Sequence, residues 1–117
     1  MKLKKIKDIL DLTPVVEGDD NLEIKNGCGS DLMSDVLAFS KQKTLLLTGL
    51  TNPQVIRTAE MIDIKVIIFV RGKKPVQETI ELAKEKEIAL YCSKKSLFES
   101  CGRLYEKGLK PEKMRPI

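Results

Sequence analysis

Three apolar runs begin at Thr44, Val66 and Ile88, 22 residues apart each time, and nothing else in the 117-residue chain restricts its fold as strongly. Each run is about five residues long, the length of a buried strand and too short for a core helix. Residues 44–48, 66–70 and 88–92 are almost wholly apolar, without alternation, as expected of strands covered on both faces. Between them lie Val55, Ile56, Ala59 and Ile62, then Val76, Ile80 and Ala83, at helical spacing. Asn52 before Pro53, and Pro75 after Lys74, supply helix starts, because proline in the first turn gives up no needed donor. Strands joined through helices of this length pair in parallel by right-handed crossovers. The expected fold class is therefore α/β: a single three-layer-like domain with a mostly parallel sheet built from repeated βα units, its strand order open.

The flanks add shorter signals. Leu3, Ile6, Ile9 and Leu10 predict a first helix over residues 3–11. Residues 13–16 and 22–24 read as brief extended pieces separated by the turn residues Gly18, Asp19, Asp20 and Asn21. They either pair as a hairpin or line a sheet edge. A second helix is expected from residue 31, with Leu32, Met33, Val36 and Leu37 apolar and Ser30 or Asp31 as N-cap. The last helix carries a capping box, Ser96 and Glu99, a buried stripe of Leu97, Phe98, Cys101, Leu104 and Tyr105, and a left-handed stop at Gly108. One domain is expected over residues 1–109, with 110–117 as a loose C-terminal tail containing Pro111 and Pro116.

Composition excludes several classes. The net charge is +4, from 21 Lys and Arg against 17 Asp and Glu that are interleaved along the chain, which describes a solvated surface. Aromatic residues are 4% and Trp is absent, so the stacking platform of a nucleic-acid binder is missing and no nucleic acid is expected. Cys28, Cys92 and Cys101 are odd in number, and there is no histidine, which argues against a disulfide scaffold or zinc site; no metal or cofactor is expected. Asp8 and Asp11 interrupt the lysine-rich start where a signal peptide needs an apolar run, and no segment approaches the roughly 20 apolar residues of a membrane span. A reduced cytoplasmic protein without membrane contact is the expectation.

Catalytic signatures are missing. There is no P-loop, since Gly72-Lys73-Lys74 lacks the upstream glycine and the following hydroxyl, and no G-x-S-x-G elbow. Without histidine the usual base for a Ser or Cys nucleophile is absent, so the chain is not expected to be an enzyme. Binding is better supported. Parallel sheets take ligands beyond the carboxyl ends of their strands. Those ends carry Gly49, Thr51 and Asn52, then Arg71 and Gly72, residues that allow close backbone approach, free amides and a bidentate cation for a small anion such as a nucleotide phosphate. The glycine-flanked turn before the second helix adds Gly27, Gly29, Ser30 and Asp31 as a candidate ligand or partner surface. Cys28, between those glycines, is either a buried small side chain or a thiol whose pKa the following helix dipole lowers.

Residues 27–39, Leu46-Leu47-Thr48-Gly49-Leu50-Thr51-Asn52-Pro53, the strand at 66–70 with Arg71-Gly72-Lys73-Lys74-Pro75, and the closing segment from Ser96 to Leu109 together resemble the DRTGG domain. The name-giving motif departs: Ile24-Lys25-Asn26-Gly27-Cys28-Gly29 has no Asp-Arg-Thr, and Cys28 splits the glycine pair. The resemblance implies an α/β module similar to the N-terminal domain of HPr kinase/phosphorylase, of a kind found beside CBS domains in some pyrophosphatases. It implies a non-catalytic regulatory or ligand-sensing role, with self-association as a homodimer. Stand-alone relatives near iron-only hydrogenases suggest an alternative, an accessory protein that touches a redox enzyme or other protein partner through Cys28 or the central turn.

Overall fold

Residues 1–40 and 43–112 are described by a computed structural model. Its strands follow the three runs: β3 (Thr44–Thr48), β4 (Val66–Phe69) and β5 (Ala89–Cys92) are buried along their whole length and pair in parallel, Leu45 beside Val66 and Val66 beside Ala89. The crossover helices are α3 (Pro53–Met61) and α4 (Gln77–Glu85). Before them come α1 (Leu3–Leu10), β1 (Thr13–Val16), β2 (Asn26–Gly29) and α2 (Met33–Phe39); after them come α5 (Leu97–Glu106) and β6 (Lys110–Pro111). The six strands lie in the order β1-β5-β4-β3-β2-β6, all parallel except β1. The expected α/β architecture is present, with α2, α3 and α4 against one face and α1 and α5 against the other.

The alternation of the strands sorts the core. Leu45, Leu47, Val66, Ile68 and Tyr91 meet Leu3, Ile6, Leu10 and Leu104, while Leu46, Ile67, Phe69 and Leu90 meet Val36, Val55, Ile56 and Ala83. Each fully buried Leu, Ile or Phe contributes about 1.5–3 kcal/mol. Tyr91 keeps its hydroxyl satisfied by accepting from the Gly18 amide at 2.8 Å. A Cβ on Gly18 would stand 2.7 Å from that of Ala89, so the turn after β1 needs glycine there.

Several expectations are corrected. The glycine-flanked segment is not a turn: residues 26–29 form an interior strand, with Gly27 beside Leu45 on one side and Pro111 on the other. Lys110 and Pro111, expected in the loose tail, form the edge strand β6; residues 113–117 lie outside the described residues. Residues 22–24 make no hairpin with β1; Glu23 bridges Lys2, and β1 lines the edge beside β5 with Pro14 level with Tyr91 and a register shift before Val16. Helix α2 starts at Met33 with Leu32 as N-cap, and neither Ser30 nor Asp31 caps it. On its expected apolar face Val36 is buried, whereas Leu32 and Leu37 are exposed. In α5, Ser96 accepts from the Glu99 amide at 3.1 Å and Gly108 has φ +108°, as expected, but the Glu99 carboxylate takes Arg103 rather than the cap amide. Phe98 is 90% exposed and Tyr105 67%, so neither belongs to the buried stripe.

Candidate functional site

The loops after β2, β3, β4 and β5 meet at the carboxyl end of the parallel sheet. Asp31, freed from capping, reaches across to the next loop: its Oδ1 accepts from the Gly49 amide at 2.7 Å and from Thr48 Oγ1 at 2.9 Å. The Gly49 amide is the main cause that holds its carboxyl below the usual value, against some desolvation; the Thr48 hydroxyl and the charges of Arg71 and Lys73 act in the same direction as Gly49. Ser30 Oγ accepts from the Leu32 amide at 3.0 Å and shapes the turn that aims Asp31. Lys73 Nζ donates to the Gly49 carbonyl at 3.3 Å, closing the other side of the same turn.

The β4 and β5 loops are joined by backbone. Arg71 and Gly72 have φ of +62° and +66°, and their amides donate to the carbonyls of Lys95 and Ser93, both at 2.8 Å. A left-handed arginine costs about 1–2 kcal/mol, and those two bonds offset it. The loops therefore place Arg71, Lys73, Lys74, Lys94 and Lys95 at one end of the sheet; none of the five makes an ion pair among the described residues, and Lys95 Nζ donates to the Leu10 carbonyl at 3.2 Å.

Of the candidates from the sequence, Gly29, Ser30, Asp31, Gly49, Arg71 and Gly72 lie along this edge. Thr51 and Asn52 are there too but are occupied: the Thr51 carbonyl accepts from Thr79 Oγ1 at 2.7 Å and Asn52 Oδ1 caps Gln54 at 3.0 Å. Gly27 lies two residues back in β2, against Leu109. Sequence reasoning missed Lys73, Lys74, Lys94 and Lys95, although a pair of lysines just after each of two strands was a readable signal. Cys28 points to the α2 face with Val36 and Leu46, and burial above all pushes its thiol up to about 11, so the dipole-activated reading is corrected.

A concavity of about 660 Å³ lies beside these loops, between α5 and the strands β2 and β6. Gly27 and Gly29 line its strand side; Leu97, Cys101, Leu104 and Leu109 line the side of α5 and the turn after it, and Arg71 and Lys110 also border it. A Cβ on Gly29 would come within 2.6 Å of the Cys101 sulfur, which shows how closely α5 approaches β2 there.

No protein-family model matches the chain, and no curated protein matches it in sequence. Among solved structures, it is similar to the CBS and DRTGG domains of the regulatory region of Clostridium perfringens pyrophosphatase, complexed with the activator diadenosine tetraphosphate. The TM-score is 0.68 at 18% identity, over 93% of this chain and 47% of that one. The fold is DRTGG-like. The likeness is one of fold, and the chain spans about half the length of that neighbour. Among the described residues, no helix of this DRTGG-like domain is long and apolar enough to cross a membrane.

Proposed function

We propose that this chain is a non-catalytic regulatory module that senses a small anionic ligand, such as a nucleotide, at the carboxyl end of its sheet. The observation that carries the reading is the set of four cations, Arg71, Lys73, Lys74 and Lys94, on two loops joined by backbone bonds and left without ion-pair partners among the described residues; Lys95 Nζ is turned away to the Leu10 carbonyl at 3.2 Å. Asp31, the carboxylate near Arg71 and Lys73, is already engaged by Gly49 and Thr48. A phosphate chain is the ligand chemistry that such a crevice favours. The nucleotide activator of the pyrophosphatase regulatory region supports the same class. Self-association belongs to this reading, with the exposed Leu37 and Phe39 of α2 and its N-cap Leu32 as the surface that meets a second copy. The DRTGG family, the cytoplasm and a domain ending near β6 complete the proposal. An accessory role through Cys28 is not favoured by a thiol turned into the core.

Thermal denaturation with a nucleotide series tests it. A ligand at 100 times its dissociation constant adds about 2.7 kcal/mol to the native state. The expected result is a stabilisation that Lys73→Ala with Lys94→Ala abolishes; no shift with any nucleotide, or one untouched by those changes, overturns the reading. Sedimentation at micromolar concentration that shows only monomer overturns self-association.

A further inference from the structure

The groove between α5 and β2–β6 differs in chemistry from the cationic crevice. Two helices cover its face of the sheet, and on β2 the positions facing that side are Gly27 and Gly29, where Leu109 and the Cys101 sulfur come in close. Its strand side is backbone there, level with Leu45 and Leu47 of the neighbouring strand. Its volume of about 660 Å³ falls in the range of small-molecule sites. The walls are chiefly carbon, from Leu97, Leu104, Leu109 and the ring of Phe98. A nucleobase seated there would bury ring donors and acceptors with few partners, which is costly, whereas a hydrocarbon loses nothing. Charge sits at the ends. Lys110 is level with Asn26 at the start of β2, and Arg71 lies past the end of β4, its backbone fixed by the Lys95 carbonyl. Arg71 borders the groove, and a guanidinium matches a carboxylate with two parallel bonds.

We propose that this groove binds a small amphipathic carboxylate, its aliphatic body along Leu97, Leu104 and Leu109 and its head group on Arg71. This site shares Arg71 with the proposed nucleotide site and uses neither Lys73 nor Lys94.

Calorimetric titration of the full chain with straight-chain carboxylates from hexanoate to dodecanoate, with the matching alcohols as controls, tests this. Affinity is expected to rise about fourfold per added methylene until the groove is full. The alcohol of equal length is expected to bind about tenfold more weakly, because a hydrogen bond to a charged group exceeds a neutral one by about that factor. Arg71→Gln should erase the difference between acid and alcohol while keeping the dependence on chain length. In the unaltered protein, saturating decanoate should slow alkylation of Cys101, which borders the groove, at least about tenfold. Binding that ignores chain length, equal binding of acid and alcohol, or unchanged Cys101 alkylation overturns the proposal. So does Cys101 protected without ligand in a sedimenting dimer, which assigns the groove to a second copy. Lys73→Ala with Lys94→Ala should leave carboxylate binding intact, so failure of the nucleotide reading and failure of this one are separable.

Discussion

On one face of the sheet three helices bring Val36, Val55, Ile56, Ala59 and Ala83 over Leu46, Ile67, Phe69 and Leu90; on the other, α1 and α5 cover Leu47, Ile68 and Tyr91, and α5 reaches β2 at Gly29. Strand β2 records the difference residue by residue. Its inward position on the three-helix side is Cys28, which fills space itself, and its positions on the two-helix side are glycines, over which the Cys101 sulfur and Leu109 close in. Helix number alone does not decide packing; the side chains omitted from a strand decide how closely a helix approaches it.

The most direct way to break this comparison is to truncate one aromatic from each side. Phe69→Ala, within the three-helix core, is expected to cost about 3–5 kcal/mol, whereas Phe98→Ala, on the rim of the open face, should stay within about 0.5 kcal/mol. Urea denaturation measures both, and similar losses would show that the open face is closed in solution. Next in size, Gly29→Ala should destabilise by about 1–3 kcal/mol, because its Cβ would press on the Cys101 sulfur. Adding Cys101→Ala should recover most of that loss. Failure of the double variant to recover would place the strain elsewhere in β2.

Asp31 joins the end of β2 to that of β3, and its loss is expected to cost about 1 kcal/mol, discounted for its exposure. Its folded carboxyl lies below the unfolded value of about 3.9, so its contribution is complete above that pH and disappears as the pH falls through the lower folded value. Asp31→Asn should therefore flatten the acid limb of the stability profile and leave its dependence near neutrality unchanged. The smallest effect is expected at Gly102, in the middle of α5, where an added Cβ meets nothing within 4 Å. Gly102→Ala should stabilise by about 0.5–1 kcal/mol in thermal denaturation, since glycine weakens a helix interior.

The sequence signals succeeded where residues act through their own spacing. Residues 44–48, 66–70 and 88–92 became β3, β4 and β5 because parallel strands buried on both faces need unbroken apolar runs. Positions fixed by distant partners were harder to see. Asn26-Gly27-Cys28-Gly29 has the chemistry of a turn and is a strand only because β3 and β6 flank it. Asp31 stands where a cap is expected, yet the Gly49 amide, 18 residues away, holds its carboxylate. Phe98 and Tyr105 share helical periodicity with Leu97 and Leu104, but periodicity does not reveal that nothing packs opposite the far side of the stripe. Arg71, Gly72 and Gly49 were legible at the candidate site because strand ends locate them. The alliance of Arg71 with Lys95 requires knowing that β4 and β5 are neighbours.

The two outermost strands share one residue type: β1 contains Pro14 and β6 ends on Pro111. Proline offers no amide hydrogen, and at β1 the register also shifts within two residues of it. A row of donors and acceptors left open at a sheet margin is a template on which further chains polymerise. Here both margins are interrupted, which protects concentrated protein against growth into fibrils by strand addition.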